Sequence, residues 1–268
     1  MKWFIRFLSL VFILAVVIAG VAFYVLPLPG RPTVLMYHFV GNEMDADASK
    51  NFVSRDSFQR QMSFLKNFGY RVISLDKYYG ILNGTEYSEG KEIVITFDDG
   101  NYTFETDAVP VLKQYRFPVA VFIVSDNAEK KAHGSMSLDS LRELNLYPWI
   151  TWGSHTQSHP FLDEIPEESL TRELRGSKEV LEKLFEKPIH YLAYPFGNFN
   201  REVMLEAENS GYRLGFTTSP KKLGDIPEGP YAIPRTKITK SSDHPVAFWF
   251  KASGLYNFFK YKFGRPAK

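Results

Sequence analysis

Ile93-Val94-Ile95-Thr96-Phe97-Asp98-Asp99-Gly100 is the stretch on which the reading of this chain turns. Five uncharged residues, mostly β-branched, end on two adjacent carboxylates and a glycine. An apolar run of this length without alternation is a strand covered on both faces, the pattern of a parallel sheet flanked by helices. Two carboxylates at the end of such a strand stand where barrels of parallel strands place their reactive groups.

Working outward, strands alternate with helices. Strands are expected at 33–37, 71–74, 92–97, 119–124, 150–153, 191–194, 214–217 and 231–233. Phe58, Met62 and Leu65 stand at helical spacing within 57–67, and Gly69 follows as a stop. Further helices are expected from Asp76, through Val109, Leu112 and Tyr115, over 167–186 and over 201–210. Such repeated units point to an α/β fold, a distorted (β/α) barrel of about seven parallel strands. His38 follows Tyr37, His155 follows Gly153, Pro195 follows Tyr194 and Arg235 follows Ile233 by two. Several strands therefore deliver polar residues to one rim, and this convergence says more than any single motif.

The second informative stretch is His155-Thr156-Gln157-Ser158-His159. One Asp and two His are a sufficient protein ligand set for a divalent metal that keeps a position open for water. The remaining Asp is then free to accept a proton, which is the minimum machinery for hydrolysis by metal-activated water. Adjacent strand-end side chains diverge, so one carboxylate can bind metal while the other faces a substrate. His155 and His159 share a face if a helical turn starts there. Asp98 and Asp99 would also serve as helix caps, and two surface histidines would show the same spacing.

Thr96-Phe97-Asp98-Asp99-Gly100, His155-Thr156-Gln157-Ser158-His159 and Tyr194-Pro195-Phe196-Gly197 together resemble the three leading motifs of the polysaccharide deacetylase family (NodB homology domain, carbohydrate esterase family 4). The resemblance covers roughly residues 33 to 250. Leu35-Met36-Tyr37-His38 and Ile233-Pro234-Arg235 resemble the branch acting on poly-β-1,6-N-acetylglucosamine. The resemblance implies a divalent metal, most often Zn2+, with Co2+, Ni2+ or Mn2+ as alternatives. It implies Asp99, His155 and His159 as ligands and Asp98 as general base. Tyr194, Pro195, Phe196 and Gly197 would line the substrate groove and offer a backbone N–H to the oxyanion. Two departures stand out. The Arg that normally precedes the Pro by two residues is Ala193 here, so Arg235 is the candidate to supply that cation. The late Leu-x-His motif is replaced by Ile238-Thr239-Lys240, so His38 is the candidate acid, as a group able to titrate near neutrality; His190 and His244 are further candidates.

The bulk properties frame this reading. The 268 residues carry no cysteine, which excludes disulfides, thiolate metal sites and cysteine nucleophiles. A formal net charge of +2 leaves no nucleic-acid footprint. Lys2 and Arg6 precede an uncharged apolar run from Phe7 to Leu26; at 1.5 Å per residue it would span roughly 30 Å, a bilayer core. Residues 1–26 are therefore expected to be a membrane anchor with the rest of the chain outside the cytoplasm, or a cleaved signal sequence of a secreted protein, with Val17-Ile18-Ala19 or Gly20-Val21-Ala22 at the cleavage site. Residues 27–32 are a Pro-rich spacer, 33–250 one domain, and 251–268 a basic aromatic tail without an acidic residue, suited to a membrane interface or to a packed final helix. The expected function is metal-dependent removal of N-acetyl groups from a polysaccharide containing N-acetylglucosamine. The alternatives are an O-acetyl esterase using the same residues and a carbohydrate-binding or assembly protein that has lost catalysis.

Overall fold

A computed structural model describes residues 32–41, 51–130, 132, 134–218 and 229–263, with isolated positions 3, 6, 7, 9, 11 and 12. Its strands are β1 (Thr33–Tyr37), β2 (Phe39–Gly41), β3 (Phe52–Ser54), β4 (Arg71–Val72), β5 (Glu92–Phe97), β6 (Val119–Ile123), β7 (Ile150–Ser154), β8 (Tyr191–Ala193), β9 (Leu214–Thr217), β10 (Ile233–Pro234) and β11 (Thr236–Lys237). The main sheet runs in the order β10-β9-β8-β7-β6-β5-β1-β11, with β4 added beside β5. Its pairings are parallel throughout. Every residue of β5 and β6 is buried, as expected for strands sealed between the barrel interior and the helices.

The two ends of this path are consecutive in the chain. β10 pairs with β9, β11 pairs with β1, and only Arg235 separates them. The Arg235 amide donates to Thr217 O at 3.0 Å, and the Ile238 amide to Met36 O at 2.9 Å. One interrupted strand thus brings the barrel close to closure. Pro234, which has no amide to give a ladder, stands beside the interruption. The sequence places this last strand at 231–233; it falls later because its partners, not its own apolar content, set its limits.

Alternation sorts each strand between two cores. Val34, Val94, Ala120, Phe122, Tyr191, Ala193, Leu214, Phe216 and Ile233 fill the interior. Leu35, Tyr37, Ile95, Phe97, Val121, Ile150, Trp152, Leu192 and Tyr194 pack outward under the helices. Continuing that period of two past the strand ends turns His38, Asp98, His155 and Arg235 toward the barrel axis. The register levels these ends, since Tyr37 pairs with Phe97, Phe97 with Val121 and Ile123 with Ser154.

The helix expected at 167–186 is present as Glu167–Thr171 and Ser177–Phe185, joined by a π-helical turn at Arg172–Gly176. The helix Pro245–Ala252 packs through Phe248, Trp249 and Ala252, while Phe258 and Phe259 of the following helix Leu255–Phe263 are exposed. The expected membrane span at 7–26 lies outside the described residues except at four isolated positions. Among the described residues no helix is long and apolar enough to cross a membrane.

Candidate active site

Asp98 immediately follows β5 and is 1% exposed. Arg235, fully buried, meets it as a fork: Nη1 donates to Oδ1 at 2.6 Å and Nη2 to Oδ2 at 2.7 Å. A third bond runs from Arg235 Nη1 to Thr96 Oγ1 at 3.2 Å, and the guanidinium lies 5.3 Å from the Phe122 ring centroid. Planar two-point pairing of this kind is specific to Arg. Burial alone would raise the Asp98 pKa. Burial is the largest single influence, but the Arg235 charge and hydrogen bonds together with His155 and His38 outweigh it and hold the group at about 2, ionised at any physiological pH.

Asp99 takes φ 70° and Gly100 φ 68°, so the chain turns sharply and the second carboxylate diverges from the first. Asp99 Oδ1 lies 3.5 Å from His155 Nε2 and 3.6 Å from His159 Nε2. One ligand atom from each of the three residues falls within 4.8 Å of the others. These separations are too long for good hydrogen bonds and leave a gap that a small cation would fill. His155 Nδ1 stands 2.8 Å from Ala193 O. A carbonyl only accepts, so the proton sits on Nδ1 and the Nε2 lone pair faces Asp99, the orienting contact typical of metal-binding histidines. Burial lowers the pKa of both imidazoles, against the pull of Asp98, and so favours the neutral, ligating form. Burial also raises the pKa of Asp99. Hard oxygen plus imidazole nitrogen, three ligands with open positions, fits a divalent ion such as zinc.

The two histidines do not share a helical turn. Residues 155–160 are irregular, and Thr156 and His159 adopt φ of 68° and 65°. Left-handed residues fold the loop back so that the rings meet at 4.7 Å between centroids.

The polysaccharide deacetylase family model matches residues 85–215, which include Asp98, Asp99, His155, His159 and the Tyr194–Gly197 turn. The chain carries a polysaccharide deacetylase domain. The Bacillus subtilis protein YxkH is 28% identical over 213 residues, 79% of this chain and 72% of the relative. The poly-β-1,6-N-acetyl-D-glucosamine N-deacetylase of Staphylococcus aureus is 25% identical over 213 residues, 75% of this chain and 73% of the relative. The solved structure of the Streptococcus pyogenes deacetylase PplD with acetate superposes with a TM-score of 0.73 at 25% identity, covering 86% of this chain and 98% of that one. Arg235 and His38 lie outside the matched span.

In this deacetylase the third motif divides between core and groove. Tyr194 points outward by strand alternation; its ring is buried and its hydroxyl donates to Tyr231 O at 2.8 Å. Its side chain therefore does not line the groove that the resemblance assigns to it, and its amide is spent on Phe216 O. Pro195 has no N–H, and the amides of Gly197 and Asn198 donate to Tyr194 O and Pro195 O. Phe196, at φ 57° and half exposed, stacks on Phe161 with centroids 4.0 Å apart and meets His159 edge-on at 4.7 Å. Phe161, which sequence reasoning did not single out, thus forms one aromatic wall with Phe196. Gly197 has φ 77°, and a Cβ there would collide with Thr218. Gly197→Ala is expected to lose about 1–3 kcal/mol, from overpacking and left-handed strain together, in chemical denaturation.

His38 lies on the same rim with its Nδ1 buried and unpartnered. Burial, with Lys237 and Arg235, outweighs the attraction of Asp98 and lowers its pKa to about 4. The expected titration near neutrality is therefore not met: a cationic, desolvated neighbourhood disfavours the imidazolium. His190 precedes β8, at the opposite end of the barrel, and His244 caps the helix Pro245–Ala252. Neither stands with the cluster.

Proposed function

We propose that this deacetylase removes N-acetyl groups from a cell-wall or biofilm polysaccharide containing N-acetylglucosamine, with Asp99, His155 and His159 holding a divalent ion, most readily Zn2+. The observation that carries the proposal is the juxtaposition of this ligand set with an Asp98 kept ionised by Arg235. The poly-β-1,6-N-acetyl-D-glucosamine activity of the Staphylococcus aureus relative supports that polymer class as substrate. The charge-free run at 7–26 supports attachment to the membrane with the domain outside the cytoplasm.

When bound, the ion acidifies water and polarises the acetamide carbonyl. That help is needed, because a carboxylate with a pKa of about 2 is a weak base alone. Asp98 takes the proton of the attacking water. Arg235 occupies one lone pair on each of its oxygens and fixes the plane in which the others point. The Phe196 amide, left over when the other donors of its turn are spent, is assigned to the developing oxyanion. The amide nitrogen leaves only once protonated. His38 is the assigned carrier of that proton: transfer from a carboxyl near 2 to an imidazole near 4 runs downhill. Phe161 and Phe196 present an aromatic face to the apolar face of a pyranose ring.

The departures at Ala193 and at the Leu-x-His position are the reasons to read the chain as a binding protein without catalysis. The first loses weight because Arg235 provides the cation from another strand. Incubating the purified protein with partly N-acetylated poly-β-1,6-glucosamine is expected to release acetate. Chelation should stop the release, and added zinc or cobalt should restore it. Release that survives complete metal removal, or that occurs from O-acetylated polymer alone, refutes the proposal.

A further inference from the structure

The π-helical turn Arg172–Gly176 has a consequence at the rim. A π turn displaces the helical ladder and frees carbonyls for other donors. Glu173 O accepts the Gln157 amide at 3.1 Å, and Leu174 O accepts the Tyr212 hydroxyl at 2.7 Å. The Glu173 side chain is 3% exposed. Its carboxylate accepts three bonds, from the Gln157 amide at 3.0 Å, the Ser158 amide at 2.8 Å and the Ser158 hydroxyl at 2.7 Å. No Lys or Arg stands within ion-pairing distance of it among the described residues.

A buried carboxylate without a cation persists only if its oxygens are hydrogen-bonded. Here all three donors lie between His155 and His159. From the opposite side the Ser125 amide donates to Thr156 O at 3.2 Å and the Asp126 amide to Gln157 O at 3.0 Å. The loop is thus clamped from two directions while Thr156 and His159 hold left-handed conformations that non-glycine residues adopt only under constraint. If this position served packing alone, an apolar side chain like those of Leu170, Leu174 and Leu181 would fill it without desolvating a charge.

We propose that Glu173 is a positioning residue for the metal site: by clamping Gln157 and Ser158 it sets where His159 stands relative to His155, and so sets affinity for the cation. This rests on the reading of Asp99, His155 and His159 as ligands. The test uses the full chain and a zinc competition titration. Glu173→Gln keeps the size but loses the charge and places an NH2 against a donor. Its zinc Kd is expected to rise ten- to a hundredfold. Its kcat should fall at subsaturating zinc with KM for the polymer unchanged. The amides of Gln157 and Ser158 should lose protection in hydrogen exchange. Ser158→Ala, which deletes one of the three bonds, should raise the zinc Kd several-fold and serves if Glu173→Gln does not fold. Variants binding zinc within twofold of wild type, or retaining wild-type protection at both amides, overturn the role of Glu173. A wild-type protein that takes up no zinc overturns the ligand reading instead, and the exchange measurement then still decides whether Glu173 clamps the loop.

Discussion

Asp98→Asn is expected to yield a folded, zinc-binding protein whose acetate release falls by about 10³-fold. Asp98 lies 3.9 Å from His155 Nε2 and is not among the three converging ligands, so zinc affinity should stay within a few-fold of wild type. Chemistry and stability must be separated here. The substitution leaves the Arg235 guanidinium buried opposite a neutral amide whose NH2 faces a guanidinium NH2. Breaking a buried ion pair in this way costs about 3–5 kcal/mol. Turnover should therefore be measured well below the variant's melting temperature, beside a zinc titration. Wild-type turnover in a protein with wild-type zinc content would remove Asp98 from the mechanism.

The second large effect is expected at Arg235, and it carries a pH signature. In Arg235→Met the carboxylate of Asp98 loses its fork, and burial, the largest influence on it, is opposed by His155 and His38 alone, so its pKa is expected to rise above the ordinary 3.8 instead of resting at about 2. In wild type the depressed folded value stabilises the protein by about 2 kcal/mol above pH 3.8, and this is lost as pH falls through about 2. In the variant the sign reverses: a raised folded value favours the folded state in acid and penalises it as pH rises. The stability gap between the two proteins, about 3–5 kcal/mol near neutrality, should thus narrow as pH falls from the variant's raised value to about 2. Denaturant melts over that range read the gap directly, and ligand titrations common to both proteins cancel. The acid limb of kcat/KM should also move to higher pH, since Asp98 accepts a proton only when ionised. A gap independent of pH, with an unmoved acid limb, would mean that Arg235 does not govern the charge of Asp98. Arg235→Lys should recover little, because a single ammonium cannot make two parallel bonds.

The placement of these groups was partly legible before any coordinates. Alternation in β5 puts Val94, Thr96 and Asp98 on one face, and the same parity in β1, β7 and β10 points to His38, His155 and Arg235. The strands were readable because runs such as Val119–Ile123 cannot be amphipathic helices. Boundaries were less so. The last strand was misplaced because its limits depend on the two partners it shares. The helices Ser125–Lys130 and Leu138–Leu144 escaped sequence reading because each is too short for its period to emerge.

Sequence alone determined the chemistry on offer: two carboxylates at a strand end, two histidines four apart, no cysteine, a missing arginine at 193 and a spare one at 235. Those are properties of residue type and local period, which the chain carries whether folded or not. The tertiary structure decided which groups act on one another. The Arg235 fork closes across 137 positions, and it exists only because the final strand breaks beside Pro234 and pairs with both β9 and β1. Thr156 and His159 take left-handed conformations that their own side chains disfavour, under the hold of Glu173, Ser125 and Asp126. Tyr194 turns outward by the pleat, leaving the groove to Phe161 and Phe196. Each of these depends on barrel register, set by the packing of the whole chain rather than by the neighbours of any one residue.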